Sequence, residues 1–191
     1  MKKAALLGGL VLIVLWAISA YNGLVTLDEN VTKVWANVET AYQRRADLIP
    51  NLVNVVKGYA EHEKGTFEAV VEARAKATSI NLTVDDLSEE NMKKFQEAQS
   101  QVSSALGRLI AVSENYPELK ANEQFLELQA QLEGTENRIN EARIKYNESV
   151  NEYNVEVRHF PNNIFAMIFG FRVKAPFAAD PGAEKAPTVQ F

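Results

Sequence analysis

The sequence predicts an all-α protein, one N-terminal transmembrane helix followed by an antiparallel four-helix bundle with coiled-coil-like packing. Three observations carry this expectation. Residues 4–27 are uncharged and largely apolar. Phe125, Leu132, Ile139, Tyr146, Tyr153 and Phe160 recur every seven residues, with Leu128, Thr135, Ala142 and Val157 interleaved and Ser149 or Val150 carrying the second row through the middle. Such a recurrence is the stripe of a helix packed lengthwise on other helices. Finally, six prolines and nine glycines in 191 residues leave room for long helices broken at few places.

Lys2 and Lys3 precede the apolar run. About 20 apolar residues cross a bilayer core of about 30 Å, so residues 1–22 read as one membrane anchor. Trp16 and Tyr21 fall near its far end, where amphipathic rings prefer the interface, and both are candidate membrane contacts. The competing reading is a cleaved signal peptide with its site around residues 17–20. Continuation of the run past that region into a helical pattern favours the anchor. With Lys2 and Lys3 before it and Asp28 and Glu29 after, the positive-inside rule places the bulk of the chain outside the cytoplasm, at a membrane crossed once.

The bundle is expected over residues 23–160. Leu24, Val31, Val38 and Arg45 form one row of its first helix, and Leu27, Val34, Ala41 and Leu48 the other. Asn22-Gly23 is the expected kink between anchor and bundle. Trp35, Tyr42 and Ile49 widen the apolar face; they either thicken one core or form a second strip for self-association. A second helix is expected near Asp47, with Asp47 as cap and Pro50 in its first turn, so Pro50 marks a tight reversal or a sharp kink. Its rows are Leu52, Tyr59, Thr66 and Ala73, and Val56, Val70 and Ala77, with Gly58 and Gly65 allowing a close helix approach. Residues 81–86 read as a turn in which Asp86 and Glu89 resemble a capping box. Met92, Phe95, Val102, Leu106 and Leu109 stripe the third helix. The fourth is expected over residues 117–160, some 44 residues and about 66 Å, long enough to overhang shorter neighbours.

Residues 161–174 hold an apolar segment far too short to span a bilayer. If Pro50 is a reversal, four antiparallel helices return this segment to the membrane surface. Ile164, Phe165, Ile168 and Phe169 are then candidate lipid contacts, with Arg172 and Lys174 beside the headgroups. If Pro50 is a kink, the segment lies at the far end and caps the core or binds a partner. Residues 175–191, without periodicity, read as a mobile tail.

Net charge is −5 with both signs interspersed, which argues against nucleic acid as a partner. There is no cysteine, so disulfides and thiolate zinc sites are excluded. His62 has a threonine at position 66 where a helical metal site needs a second ligand, and reads as a surface histidine. His159, at the end of the long helix, suits a capping role. Glu89 and Glu90 lie on a solvated face. No phosphate-binding loop, dinucleotide glycine pattern or nucleophile elbow is present. The reading therefore names no catalytic residue, metal, cofactor or small-molecule substrate. Arg45 on an apolar row, with Glu136, Asn137 and Arg138 beside the long stripe, reads as a polar layer that fixes register, or as a partner's docking site.

Several blocks occur in one order: Tyr21-Asn22-Gly23-Leu24-Val25, Gln43-Arg44-Arg45-Ala46-Asp47-Leu48-Ile49-Pro50-Asn51-Leu52-Val53, Glu114-Asn115-Tyr116-Pro117-Glu118-Leu119-Lys120, Glu136-Asn137-Arg138-Ile139 and Phe160-Pro161-Asn162. Together they resemble the bacterial LemA family, over roughly residues 21–177. The resemblance implies an antiparallel four-helix bundle behind an N-terminal membrane helix, and no known enzymatic activity or catalytic residue. The expected function is a non-enzymatic scaffold or adaptor of the cell envelope, acting on membrane lipid, as a homo-oligomer or with other envelope proteins. The alternative is a regulator or sensor subunit of a membrane protease or signalling protein. Retention of the anchor is tested by intact mass of protein extracted from membranes. The full-chain mass is expected; loss of the residues before Tyr21 would contradict it.

Overall fold

The computed structural model describes residues 2–179, with side chains from residue 7 onward. Its first element is one unbroken helix, α1 (Lys2–Lys57), 56 residues or about 84 Å long. The helix does not break at Asn22-Gly23: it runs on through both residues, and the Thr26 hydroxyl donates to the Asn22 carbonyl at 2.8 Å. Anchor and first bundle helix are a single rod.

Pro50 is neither the reversal nor the end of that rod. Proline has no N–H, so the carbonyl of Ala46, four residues earlier, loses its helical donor. An orphaned buried carbonyl is costly. Arg74 of the next helix supplies the missing bond, its Nε donating to the Ala46 carbonyl at 2.7 Å. Asp47, expected as a cap, instead accepts from Gln43 within the same helix. The reversal comes at residues 58–63, where Tyr59 and Ala60 both donate back to Val56. Leu52 and Val56 thus belong to α1, and Tyr59 to the turn. The close helix approach expected at Gly58 and Gly65 is not found, since only helix-end carbonyls or open space face those positions.

The chain continues as α2 (Lys64–Ser79), a single 3-10 turn (Val84–Asp86), α3 (Glu89–Ser113), α4 (Pro117–Lys120), α5 (Glu123–Arg158) and α6 (Asn162–Phe169). Asp86 pairs with Thr83 in a capping box on the 3-10 turn, while Ser88 caps α3 by accepting from Asn91 N–H. Pro117 opens only one helical turn. Asn122 then recaps the chain, accepting from Phe125 N–H at 2.9 Å, so the long fourth helix has 36 residues.

α1 and α5 pair antiparallel along the whole bundle, with α2 laid across the half farther from residue 7 and α3 running from there to the proximal core through Phe95 and Met92. The expected stripe residues of α5 from Phe125 to Val157 are buried or half-buried, as are Met92, Phe95, Val102, Leu106 and Leu109 of α3. Phe160, the last of the expected row, lies past the helix end at Arg158 and is exposed. The chain runs out, back, out and back, so α6 arrives beside the start of the bundle even though Pro50 is not the reversal. The apolar core has two parts. The distal one gathers Ile49, Val56, Phe67, Leu109 and Phe125; the proximal one gathers Leu24, Trp35, Phe95, Tyr146 and Tyr153.

α2 ends level with Trp35, whose Nε1 donates to the Leu82 carbonyl at 3.1 Å. Below that level α1 and α5 outrun α2, while the start of α3, with Met92 and Phe95, still lies along the proximal core. Residues 171–179 cover it as an extended strap, with Phe177 only 5% exposed. Residues 175–179, read as part of a mobile tail, are therefore fixed; residues 180–191 of that tail lie outside the described residues.

Arg74→Leu is expected to destabilise the protein by about 1–3 kcal/mol, because it orphans the Ala46 carbonyl. In a Pro50→Ala background, where residue 50 carries its own N–H, the same change should cost clearly less. Chemical denaturation in detergent, followed by circular dichroism, gives the comparison; equal costs in both backgrounds would contradict it.

Candidate functional site

At one end of the molecule α1 is long and apolar enough to cross a membrane. Leu7, Leu10, Ile13, Leu15 and Ile18 stand exposed around the helix. A helix apolar on every side and left uncovered by protein is the form suited to lipid. Where this stretch meets the bundle, Trp16 lies edge-on to Phe165 at 5.2 Å between centroids, and Tyr21 lies edge-on to Phe169 at 4.8 Å and Phe171 at 5.9 Å.

Pro161 precedes α6, and Gly170 ends it with φ 81°, a left-handed conformation that glycine adopts without a side-chain clash. Ala166 turns into the core, while Met167 (81% exposed) and Ile168 (68%) point away with Ile164. Trp16, Tyr21, Phe165 and Phe169 thus converge in one belt, and Ile164 and Ile168 extend its outer side. Sequence reasoning named these residues except Met167, whose outward position follows from the helix turn.

Between the two core clusters sits Arg45, 2% exposed. Its guanidinium donates to Glu136 Oε1 and Ser103 Oγ at 2.9 Å each and to the Gln99 carbonyl at 3.2 Å, and it faces the Tyr42 ring at 5.1 Å. One buried cation thereby ties α1, α3 and α5 at a single level, and a slip of any of them would break its bonds. Glu136 joins this layer; Asn137 and Arg138 lie on the exposed face. Trp35, Tyr42 and Ile49 are all buried, Trp35 and Tyr42 in the proximal core and Ile49 in the distal one, so they do not form a second surface strip for self-association. His62 is exposed, and among the described residues no three His, Asp or Glu side chains converge to hold a metal.

The strap was not legible as a site. Asn154 Oδ1 accepts from Lys174 N–H at 2.9 Å, and its Nδ2 donates to the Lys174 carbonyl at 2.7 Å. Asn147 repeats the pattern on Phe177, at 2.8 and 3.1 Å, and Gln96 of α3 repeats it on Ala178, at 3.2 and 3.1 Å. Burial raises the Tyr146 phenol far above its ordinary value, so it stays protonated and donates to the Ala175 carbonyl at 2.9 Å. Lys174 is buried, pairs with Asp28 of α1 at 2.8 Å and lies over the Tyr153 ring. Asn147 and Asn154, seven residues apart beside the α5 stripe, were the available signal.

Asn154→Ala should leave both backbone groups of Lys174 without partners, at about 1–3 kcal/mol. Hydrogen exchange is the readout. The amides of residues 174–178 should exchange about tenfold faster or more, with those around Leu132 unchanged; an unaltered strap would contradict this assignment.

The LemA family model matches residues 34–191. Magnetosome protein MamQ 1 of Paramagnetospirillum magneticum is 28% identical over 181 residues, covering 86% of this chain and 66% of its own length. Magnetosome protein MamQ of Magnetospirillum gryphiswaldense gives the same 28%, 86% and 66%. Protein LemA of Metamycoplasma hominis is 25% identical over 145 residues, covering 76% of this chain and 63% of its own length. The chain thus spans 63–66% of the length of these curated relatives. None of these names is that of an enzyme.

Proposed function

This chain belongs to the LemA family, and on that premise we propose that it is a single-pass, membrane-anchored scaffold of the bacterial envelope that acts by assembly with itself or other envelope proteins, without catalysis. One observation carries the reading. The exposed apolar stretch of α1 and the exposed apolar side of α6 meet at the same level, joined by Trp16, Tyr21, Phe165 and Phe169. Aromatic side chains with a polar edge favour the zone between lipid and water, and a short amphipathic helix beside them suits the headgroup region. Met167, Ile168 and Ile164 would each contribute up to about 1.5–3 kcal/mol on full burial.

Two contacts with one bilayer, the span and α6, would hold the bundle upright instead of leaving it to swing. Lys2 and Lys3 ahead of the span support an extracytoplasmic position for the bundle. The buried charge of Arg45 is committed to structural bonds, which supports a structural rather than a chemical role for the polar layer.

Chain lacking residues 1–21 should still float with liposomes through α6. Changing the outward pair, Met167→Ser with Ile168→Ser, should lower the bound fraction about tenfold or more, with circular dichroism unchanged. Equal flotation of the two forms would show that α6 is not a membrane seat. Two differently tagged full-length copies should co-isolate in mild detergent; separate recovery would end the self-assembly reading.

A further inference from the structure

The strap is held in the way a receptor holds a bound peptide. Every N–H from Lys174 to Ala178 is engaged, proline having none, and so are the carbonyls of Lys174, Ala175, Phe177 and Ala178. Asn154 and Asn147 stand seven residues apart on α5, about 10.5 Å along the axis. Lys174 and Phe177, three residues apart in an extended chain, are separated by about 10 Å. The helix therefore offers a ladder with the spacing of an extended backbone.

Two side-chain sites add sequence preference. Asp28 and the Tyr153 ring take the lysine. Trp35, Phe95 and Tyr146 surround the phenylalanine, with Arg143 over its ring at 5.0 Å. Backbone bonds for affinity and pockets for alternate side chains are the general plan of extended-peptide recognition.

All of these partners lie on α1, α3, α5 and the 84–88 turn. None lies on α6, and none needs the covalent link through Gly170. The same segment of another molecule would find the same contacts in this groove. A cleft of about 1020 Å³ beside the strap, lined by Met92, Gln96, Ser100, Pro176 and Ala179, leaves that side open. Copies anchored in one bilayer would stand parallel, and each strap leaves Gly170 at the level of the belt, where its neighbour's groove begins. We infer that this groove is an intermolecular site, in which neighbouring copies exchange straps and each seats the other's 174–179 segment. The inference rests on the self-assembly reading above and supplies its joint. Because the bonds are the same within and between molecules, membrane density sets the balance between closed and exchanged forms.

The chain has no cysteine, so introduced thiols report alone. Ser100→Cys and Ala179→Cys place thiols on the groove wall and on the strap without touching a latch residue. The two substitutions are put on separate full-length chains with different tags, co-expressed, and treated in membranes with a short bis-maleimide. Both in one chain give the reference yield for closure. Exchange predicts a covalent product carrying both tags, increasing with expression level and rising further when Asn147→Ala is put on the chain with Ala179→Cys, whose own groove then holds its strap less tightly than the neighbour's intact groove does. If the two tags co-isolate but no such product forms while the double variant closes on itself, strap exchange is wrong and self-assembly stands. If the tags do not co-isolate, both are wrong.

Discussion

The continuity of α1 is the constraint on which the rest depends. A helix that passes from an exposed apolar stretch into a protein core without a break carries its direction with it, so whatever packs on its upper half is oriented by its lower half. Pro50 is the weak point of this rod, and the bond from Arg74 to the Ala46 carbonyl repairs it from outside. The repair also attaches α2, so the helix hairpin that covers the distal core is fixed at the place where α1 would otherwise be free to bend. Arg45, one turn below, then locks α3 and α5 to the same level.

Because α2 stops short of the proximal end, the bundle leaves apolar surface there between α1, α3 and α5. Trp35, Tyr146 and Tyr153 would be open to water there, a larger loss than a loose tail could offset. The extended strap and α6 solve this with different chemistry. α6 covers the lowest turn with apolar contacts and keeps an apolar outer side. The strap covers the next level through side-chain amides that satisfy its backbone, because a single extended segment between helices has no strand to pair with. Lys174 enters the core only because Asp28 and an aromatic face meet its charge.

Heptad rows made most of the helices and their buried stripes legible from sequence, and the family resemblance implied their antiparallel order, although the row from Leu52 to Ala73 ran across the true reversal at residues 58–63. The return of residues 164–171 to the start of the bundle was expected only if Pro50 reversed the chain; it holds because the reversal comes instead at residues 58–63, which keeps the count of helices even. Local punctuation misled. Pro50 and Asn22-Gly23 looked like breaks, yet a distant arginine and an intact hydrogen-bond ladder carry the helix through both. Pro117 looked like the start of the long helix, but Asn122 provides the better cap. Arg45 was identifiable as a charge on an apolar row, and so was its pairing with the 136–138 block, although only Glu136 joins it. The strap lay beyond such reading, because an extended segment held by side chains has no periodicity of its own.

The central claim is that the apolar stretch of α1 and the outer side of α6 face one bilayer. A nitroxide at Ile168 of the full-length protein in liposomes tests it, read by collision with dissolved oxygen and with a water-soluble nickel chelate. Labels at Leu12 and Glu133 serve as the lipid and water references. The account predicts that Ile168 is shielded from nickel and open to oxygen, close to Leu12. Nickel access equal to that at Glu133 would contradict it.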